Sequence, residues 1–342
     1  MTAVQAAEAI ALGIKEVMPE AEVLSLPVGD GGEGTADAIV AALSGKGQAE
    51  IKKICCKTLD PLRRDISTHY HLIHGTTALI ESAAASGLNL LRREERDVMR
   101  ADSYGTGLLI ADAFKKGVRD FLICMGGTAT CDGGYGAYCA MQEAKVEGAT
   151  FTLLCDVRNP LCGPDGAAAV FGPQKGATPE IIRLLEERLK ECAARYMARF
   201  AADASDMEYA GAAGGLAGML MSCYGARPLS GIGKVLSLYD FADMLKNVSL
   251  VITGEGCADA TTLSGKAPAG VLYEAKKAGI PVALVAGRVV GKEALLREGF
   301  EYVAGATPSN PDPGVAPEKY LAGAVANLLR QIIPTQKKQR PS

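Results

Sequence analysis

The sequence predicts a two-domain α/β protein, and three observations support this. Apolar runs typical of buried strands end in a glycine-rich loop three times, and each loop is followed by a segment able to form a helix. A predicted antiparallel hairpin between residues 64 and 81 interrupts this pattern, which indicates a second domain inserted into or appended to the first. The chain of 342 residues is long enough for two domains of ordinary size.

The first elements follow from the periodicity of apolar residues. Helical spacing predicts a helix over residues 3–18, and the run E-V-L-S-L predicts a strand at residues 22–26. After a glycine loop, a helix should extend to Leu43, where Gly45 and Gly47 can end it. A strand over residues 49–58 then leads to the hairpin, which should turn at His74 and Gly75.

The later elements are predicted from caps and apolar runs. Asp102 and Ser103 are candidate N-caps for a helix over residues 104–116, and Thr178 with Pro179 should begin a long helix that ends near residue 200. Apolar runs predict strands at residues 121–125, 151–154, 250–253 and 302–306, with a helix at residues 267–278 after the third loop. Residues 336–342 should form a solvated tail.

Composition excludes several classes of function. With 48% hydrophobic residues and a formal charge of −3, the chain should be neither disordered nor a nucleic-acid binder. The ten cysteines include no C-x-x-C pair, which favours free thiols in a reducing compartment. The start is typical of an amphipathic helix rather than a leader, and no run of about 18 apolar residues occurs. We therefore expect a cytoplasmic protein without a membrane partner.

The central loop, M-G-G-T-A-T-C-D-G-G, is the strongest candidate site. Glycines let a backbone approach an anion closely, and the following helix directs unpaired N–H groups into the same space. The alternative is a tight strand-to-helix turn that any α/β protein could contain. Cys131 in this loop should be exposed, with a lowered thiol pKa, and protected by a ligand.

Two further loops combine glycines with acids. The first is P-V-G-D-G-G-E-G-T, with Asp30 and Glu33, and the third is G-E-G-C-A-D-A-T-T-L-S-G-K, with Glu255 and Asp259. Acids beside phosphate cradles indicate a magnesium nucleotide, because Mg²⁺ needs hard oxygen ligands. None of the loops fits the P-loop or the dinucleotide fingerprint.

A third kind of site follows the strand at residues 151–154. There Asp156 and Asn159 stand in a Gly/Pro turn, where an acid and an amide could hold magnesium or a substrate hydroxyl; an Asx turn before Pro160 is the alternative. The small-residue segment S-A-A-A-S-G-L could admit a ligand or simply pack closely. Lys266 could meet a phosphate or a carboxylate at a helix start.

These motifs together resemble the signature blocks of the type I glycerate kinases. The blocks occur in family order over nearly the whole chain, and they also include E-S-A-A-A-S-G-L, C-D-V-R-N-P-L-C-G-P-D-G and G-A-A-G-G-L. The resemblance implies an open, mostly parallel sheet domain built from both chain ends, residues 1–62 plus 230–335. It implies an inserted mixed α/β domain at residues 63–229, with the active site in the cleft.

The resemblance also implies a reaction, the ATP-dependent phosphorylation of D-glycerate to 2-phosphoglycerate, with ATP and Mg²⁺ as cofactors. A product phosphorylated at the 3-hydroxyl and a homodimer are both left open. With the residue-level reading, it gives these predicted site residues: catalytic Asp156, Asn159, Lys266 and Asp30; cofactor-binding Gly126, Gly127, Thr128, Thr130, Asp132, Gly133, Gly254, Glu255, Gly256 and Asp259; substrate-binding Gly31, Gly32, Glu33, Ser86 and Gly87; metal-binding Asp156 and Asp132.

The chain departs from the family pattern in several places. It starts just after the residues where the family has its first strand and D-S-F-K-G-S-L, and part of the pattern is missing between residues 141 and 151. Cys131 stands in place of asparagine, Cys257 of arginine and Thr261 of glutamine. Because an acid and a lysine would be lost with the first block, we expect a poor enzyme. The alternative is a truncated, non-catalytic remnant that binds a nucleotide or a small acidic metabolite.

Overall fold

The computed structural model describes residues 1–47, 49–263 and 265–339, with side chains up to residue 333. The chain divides into two compact units. Unit 1 comprises Met1–Gly29 and Val235–Ser342, and unit 2 comprises Asp30–Lys234. Unit 1 is therefore built from both chain ends and unit 2 is the inserted part.

The elements of the described residues are named here in chain order. The helices are α1 (Ala3–Val17), α2 (Thr35–Gly45), α3 (Ala83–Ser86), α4 (Tyr104–Lys115), α5 (Tyr135–Glu143), α6 (Ala167–Phe171), α7 (Pro179–Phe200), α8 (Leu216–Tyr224), α9 (Gly231–Tyr239), α10 (Phe241–Met244), α11 (Ala267–Lys277), α12 (Lys292–Glu298) and α13 (Pro317–Gln339). The strands are β1 (Ile51–Leu59), β2 (Asp65–Ile73), β3 (Thr77–Glu81), β4 (Asp120–Cys124), β5 (Thr150–Leu154), β6 (Arg227–Leu229), β7 (Val251–Ala258), β8 (Val282–Val289) and β9 (Tyr302–Gly305).

Unit 2 contains a mixed sheet, with the order β1-β2-β3-β4-β5-β6 among the described residues. The pairs β1/β2 and β2/β3 are antiparallel, whereas β3, β4, β5 and β6 are parallel. The predicted hairpin and the predicted parallel strands are thereby confirmed. The division into units differs from the predicted domains at both boundaries. Residues 30–62 and 230–234 belong to unit 2, whereas the prediction places them with the chain ends. Strand β1 shows the reason, because it pairs with β2 from Ile51 to Leu59.

The core of unit 2 forms where the parallel strands meet their helices. Phe121 of β4 stacks on Phe151 of β5, with ring centroids 4.9 Å apart. Buried residues of α4, α5 and α8 pack against these strands in the same cluster. The long helix α7 begins as predicted, with the Thr178 hydroxyl accepting a hydrogen bond from the Ile181 N–H and Pro179 in its first turn.

Unit 1 contains a parallel sheet in the order β7-β8-β9, as far as the structure describes the chain. Helices α1 and α13 pack on it through buried residues such as Ala9 and Val325. The predicted strand at residues 22–26 is wrong, because residues 21–29 have no regular secondary structure. A strand needs a neighbour to pair with, and among the described residues this segment pairs with none of β7, β8 and β9.

The carboxyl terminus differs partly from the predicted solvated tail. Helix α13 continues through Gln339, so residues 336–339 are helical, and residues 340–342 lie outside the described residues. Among the helices that the structure describes, none has the length and apolar character needed to span a membrane.

Candidate active site

The candidate site of unit 2 lies at the carboxyl ends of its parallel strands. The register aligns Glu81, Cys124, Leu154 and Leu229 as the last residues of β3, β4, β5 and β6. In open α/β sheets, ligands bind outside the carboxyl ends of the strands. The segments that follow these four residues are therefore the ones to inspect.

The first glycine loop lies across this edge of the sheet. The Gly126 N–H donates to the Gly31 carbonyl at 2.8 Å, and the Ala36 N–H donates to the Glu81 carboxylate at 2.8 Å. Gly31 has a φ of +92°, and a Cβ atom there would lie 2.4 Å from the Leu154 carbonyl oxygen. Only glycine allows so close an approach, so the loop is fixed to the strand ends by its backbone.

Asp156 lies two residues after the end of β5, and its side chain contacts the first residues of α9. Its Oδ2 accepts a hydrogen bond from the Ile232 N–H at 2.9 Å, and the Ser230 hydroxyl and the Gly231 N–H favour the charged form of the carboxylate. Burial nevertheless raises the pKa of Asp156, and the negative charge of Asp30 adds to this shift. A carboxylate that is held in place and has a raised pKa is suited to accept a proton.

Asp30 is the second carboxylate of this group. Its Oδ1 accepts a hydrogen bond from the Gly32 N–H at 3.2 Å, which shapes the start of the loop. Glu33, in the same loop, is exposed and accepts a hydrogen bond from the Asn89 amide at 2.9 Å. The structure thus places the predicted residues Asp30, Gly31 and Gly32 beside Asp156, and it ties Glu33 to the segment after α3.

The side-chain amide of Asn159 bonds to its own loop and not to Asp30 or Asp156. Its Nδ2 donates to the Asp165 carbonyl at 2.8 Å, and its carbonyl accepts a hydrogen bond from the Gly211 N–H at 3.0 Å. Both contacts tie together the loop that follows β5. Asn159 therefore has a structural explanation that the sequence did not reveal.

Asp132 in the central loop accepts hydrogen bonds with both carboxylate oxygens. Its Oδ2 accepts from the Ser103 N–H at 2.9 Å, the Ser103 hydroxyl at 2.8 Å and the Gly136 N–H at 3.0 Å. Its Oδ1 accepts from the Gly134 N–H at 3.2 Å, and the residue is buried. The prediction that Asp132 binds metal or cofactor does not fit this geometry, because the carboxylate joins the starts of α4 and α5.

The first residues of the central loop, Gly127 and Thr128, differ from Asp132 because part of their backbone is unpaired among the residues described. Thr128 forms an antiparallel bridge with Gly87, framed by hydrogen bonds from the Leu88 N–H to the Gly127 carbonyl and from the Ala129 N–H to the Ser86 carbonyl. Gly127 is exposed, with a φ of +78°. Its N–H and that of Thr128 make no hydrogen bond within the described part of the chain. Two donors are thus available to a ligand here.

Several other predicted residues of these segments have structural partners. The Ser86 hydroxyl is fully buried and lies 2.7 Å from the Thr106 hydroxyl, so it cannot reach a substrate. The Gly133 N–H donates to the Gly214 carbonyl at 3.0 Å, and the Gly133 carbonyl accepts from the Tyr196 hydroxyl at 2.8 Å. These residues fix the back of the loop.

The expectation for Cys131 is wrong. Its side chain is completely buried, and burial raises the pKa of the thiol to about 11 instead of lowering it. The side chain packs among Leu161, Leu185 and Leu189 under α7. A glycine loop exposes its backbone, but the residues between the glycines can point into the core.

Sequence reasoning missed Lys175, which lies directly behind the central loop. This lysine is buried, and its ammonium donates to the Thr130 carbonyl at 2.6 Å and to the Thr128 hydroxyl at 3.3 Å. The turn P-Q-K-G is typical of an exposed segment, so the only available signal was its place within the family block F-G-P-Q-K-G-A-T.

The third loop, in unit 1, differs from the prediction at its start. Strand β7 continues through Gly254, Glu255 and Gly256, and the first two pair with β8, so these residues do not form a loop. Lys266 at the N-cap of α11 donates to the Glu255 Oε2 at 3.2 Å, and the buried Glu255 Oε1 has no hydrogen-bond partner. This pair is the polar centre of the segment.

Asp259 caps the short helical turn that follows β7. Its Oδ1 accepts hydrogen bonds from the Thr261 N–H at 2.8 Å and the Thr261 hydroxyl at 2.6 Å. These bonds hold the pKa of Asp259 below its usual range. Thr261, one of the departures from the family pattern, is thereby part of the turn.

The fold and the site define an α/β protein with acidic, glycine-rich segments at strand ends, an arrangement suited to phosphoryl transfer. The glycerate kinase family pattern matches residues 1–144 and 138–333. The two matched segments overlap around residue 141, where we expected part of the family pattern to be missing.

Similar proteins are found among curated sequences and solved structures. A glycerate kinase of Haemophilus influenzae is 37% identical, with 97% of this chain and 91% of the relative covered. The glycerate 2-kinase of Escherichia coli is 35% identical, with 84% of this chain and 82% of the relative covered. A crystal structure from Salmonella typhimurium LT2, described as a glycerate kinase 2, is 32% identical, with a TM-score of 0.74 and coverages of 99% and 96%.

This chain belongs to the glycerate kinase family. Membership in this family makes it an enzyme of the kinase class, and such an enzyme uses ATP as the phosphoryl donor.

Proposed function

We propose that this enzyme phosphorylates D-glycerate at its 2-hydroxyl with ATP, giving 2-phosphoglycerate and ADP. Family membership supports the substrate, and the Escherichia coli relative, named a glycerate 2-kinase, supports the position. The observation that carries the proposal is the placement of Asp156 at the end of β5, held by the start of α9 and next to Asp30.

In this proposal Asp156 accepts the proton of the substrate hydroxyl. The hydroxyl oxygen attacks the γ-phosphorus of ATP, the bond from that phosphorus to the β,γ-bridging oxygen breaks, and ADP leaves. The hydroxyl proton passes to a carboxylate oxygen of Asp156. The N–H groups at the start of α9 keep this side chain in one orientation.

Anionic groups of the substrates need donors, and the described residues offer two sets. The free N–H groups of Gly127 and Thr128 lie at the sheet edge of unit 2, and Lys266 stands at the start of α11 in unit 1. A lysine at a helix start tolerates the positive helix end better when an anion binds there. We assign Lys266 to a phosphate or the glycerate carboxylate.

Magnesium fits the acid pair and not the central loop. Within the described ranges, no group of three or more His, Cys, Asp or Glu side chains could hold a metal ion. Mg²⁺ is usually held by one or two carboxylates together with substrate phosphates and water. Asp30 and Asp156 supply such oxygens, whereas Asp132 is already bonded through both of its oxygens. When bound, the ion would neutralise phosphate charge.

The test is to mix the purified full chain with Mg-ATP and D-glycerate and to follow ADP release. Phosphorus NMR of the product then distinguishes phosphorylation at the 2-hydroxyl from phosphorylation at the 3-hydroxyl. A 3-phosphoglycerate product would overturn the proposed position. Binding of ATP without any turnover would indicate the non-catalytic alternative.

A further inference from the structure

Lys175 carries a buried positive charge without an acidic partner. Its ammonium bonds to a carbonyl and a hydroxyl, both neutral, at 2.6 and 3.3 Å. In the part of the chain that the structure describes, no carboxylate oxygen lies within 4.0 Å of this nitrogen. Buried charges are normally paired, since an unpaired one loses its hydration without compensation.

The surroundings of Lys175 contain a second incomplete group. The Thr130 hydroxyl is buried and has no hydrogen-bond partner, although the carbonyl of the same residue accepts from Lys175. The ammonium has three N–H donors and two of them are used. Burial lowers the pKa of Lys175, and only the more distant charges of Cys131 and Asp132 oppose this shift.

Two backbone donors lie in the same segment as the contacts of Lys175. Gly127 is exposed, and the N–H groups of Gly127 and Thr128 are free of partners in the described residues. The Thr128 hydroxyl accepts a hydrogen bond from the Lys175 ammonium at 3.3 Å. A buried positive charge is therefore one hydrogen bond away from a residue whose backbone donor is available, and such a combination attracts anions.

We propose that Lys175 makes the segment Gly126–Thr130 an anion site, in which a carboxylate or phosphate group of a substrate binds the free N–H groups and compensates the buried charge. The identity of these anions rests on the proposed function. Lys175 acts through Thr128 and the loop backbone, so it is a positioning residue. The shared chemistry is an oxyanion, supplied either by glycerate or by the phosphates of ATP.

The opposing explanation is that Lys175 only supports the loop. The two explanations predict opposite effects of Lys175→Met in the full chain. If the lysine is a support, its loss should lower Tm and leave the affinity of the folded fraction unchanged. If the charge serves an anion, Tm without ligand should stay the same or rise, because a charge whose pKa is lowered by burial destabilises the fold at pH 7.

Calorimetric titration supplies the second readout, with D-glycerate alone and ATP alone as separate probes. We expect Lys175→Met to weaken the binding of one probe by about tenfold or more, the scale of a lost hydrogen bond to a charged group. The probe that weakens identifies the anion. Lys190→Met is the matched control, since Lys190 is an exposed lysine on α7. Unchanged affinity for both probes would overturn the proposal.

A pH series on the wild type covers the case in which Lys175→Met does not fold. Affinity for the affected probe should fall as the pH rises from 7 to 10, because the ammonium loses its proton earlier than an ordinary lysine. The pKa of Cys131, raised to about 11 by burial, lies above this range. A flat profile for both probes would contradict the proposal.

These measurements separate the present inference from the proposed function. Binding that depends on Lys175 in a protein without glycerate kinase turnover would refute the function and leave the anion site standing. If turnover is full and the affinity for both probes is the same in Lys175→Met as in the wild type, only the anion site is refuted.

Discussion

Asp132 and Asp156 follow neighbouring strands of one sheet, β4 and β5, yet their environments differ. Asp132 is buried and accepts four hydrogen bonds that connect the starts of two helices. Asp156 is half-buried, bonds to the start of one helix, and has a pKa raised by burial and by Asp30. Both acids stand in glycine-rich turns, so the sequence alone made them look equivalent.

The comparison indicates that the number of donors from the fold separates an acid that holds the structure from one that is available for chemistry. A carboxylate whose two oxygens both accept hydrogen bonds from the fold can receive a proton or a metal ion only in competition with those bonds. A carboxylate fixed by a few donors, with a second acid beside it, keeps capacity for chemistry. Asp132 should therefore affect stability and Asp156 should affect turnover.

The largest expected effect is on turnover in Asp156→Asn. The amide cannot accept the hydroxyl proton, so kcat should fall by about 10²-fold to 10³-fold, the usual scale for a positioned base. Tm should change little, because the side chain keeps an oxygen for the Ile232 N–H. Steady-state kinetics and thermal unfolding together test this.

Asp203→Asn serves as the matched control, because Asp203 is exposed and bonds locally to the Ser205 N–H. A near wild-type kcat in Asp156→Asn would show that Asp156 is not the base. The proposed difference in role between Asp156 and Asp132 would then be wrong.

The second effect is on stability in Asp132→Asn. The asparagine oxygen can still face the Ser103 and Gly136 donors, but its NH2 group then faces the Gly134 N–H, so the free energy of unfolding should fall by about 1–3 kcal/mol. Denaturant unfolding, with Asp203→Asn as control, measures this difference. If stability stays within about 0.5 kcal/mol of the wild type while Mg-ATP binding is lost, Asp132 is a ligand after all.

Much of the fold was predictable because strands and helices leave local signals. The parallel strands, the hairpin and the Thr178 cap follow from nearby residues. Pairing between distant segments leaves no such signal. Ser103 lies far along the chain from Asp132, and β8 extends β7 through glycines that looked like a loop. Residues 22–26 have a strand-like pattern but pair with no strand in the described part of the chain.

The candidate site was only partly predictable for the same reason. The position of Asp156 after a strand was visible, as was the first loop, but the burial of Ser86 and Cys131 depends on helices that pack from elsewhere. Lys175 could not be found from local pattern, since a lysine in a Gly/Pro turn is usually solvated.

A third, smaller effect concerns Lys266, which is the partner of Glu255. The number of hydrogen-bonded oxygens distinguishes Glu255 from Asp132, in which both oxygens are bonded. One Glu255 oxygen is paired with Lys266 and the other is buried without a partner. The lysine side chain is 37% exposed, so the ion pair itself should contribute little. Lys266→Met should weaken substrate binding several-fold, about 1 kcal/mol, with a small change in Tm. Lys277→Met, on the exposed side of α11, is the control. A collapse of Tm with unchanged binding would make Lys266 structural.

The last prediction is that Mg-ATP has no effect on the alkylation of Cys131. It tests whether the loop around Asp132 is as closed as its hydrogen bonds imply. Cys131 precedes Asp132, is completely buried, and has a pKa raised to about 11, so little thiolate forms at pH 8. Alkylation should therefore spare Cys131 while it modifies the exposed Cys55, and added Mg-ATP should change nothing. Peptide mass spectrometry over time gives both rates in one sample, with Cys55 as the internal reference. If Cys131 reacts as fast as Cys55, the loop opens readily, the four bonds to Asp132 are not persistent, and this acid regains the capacity for chemistry that separates Asp156 from it.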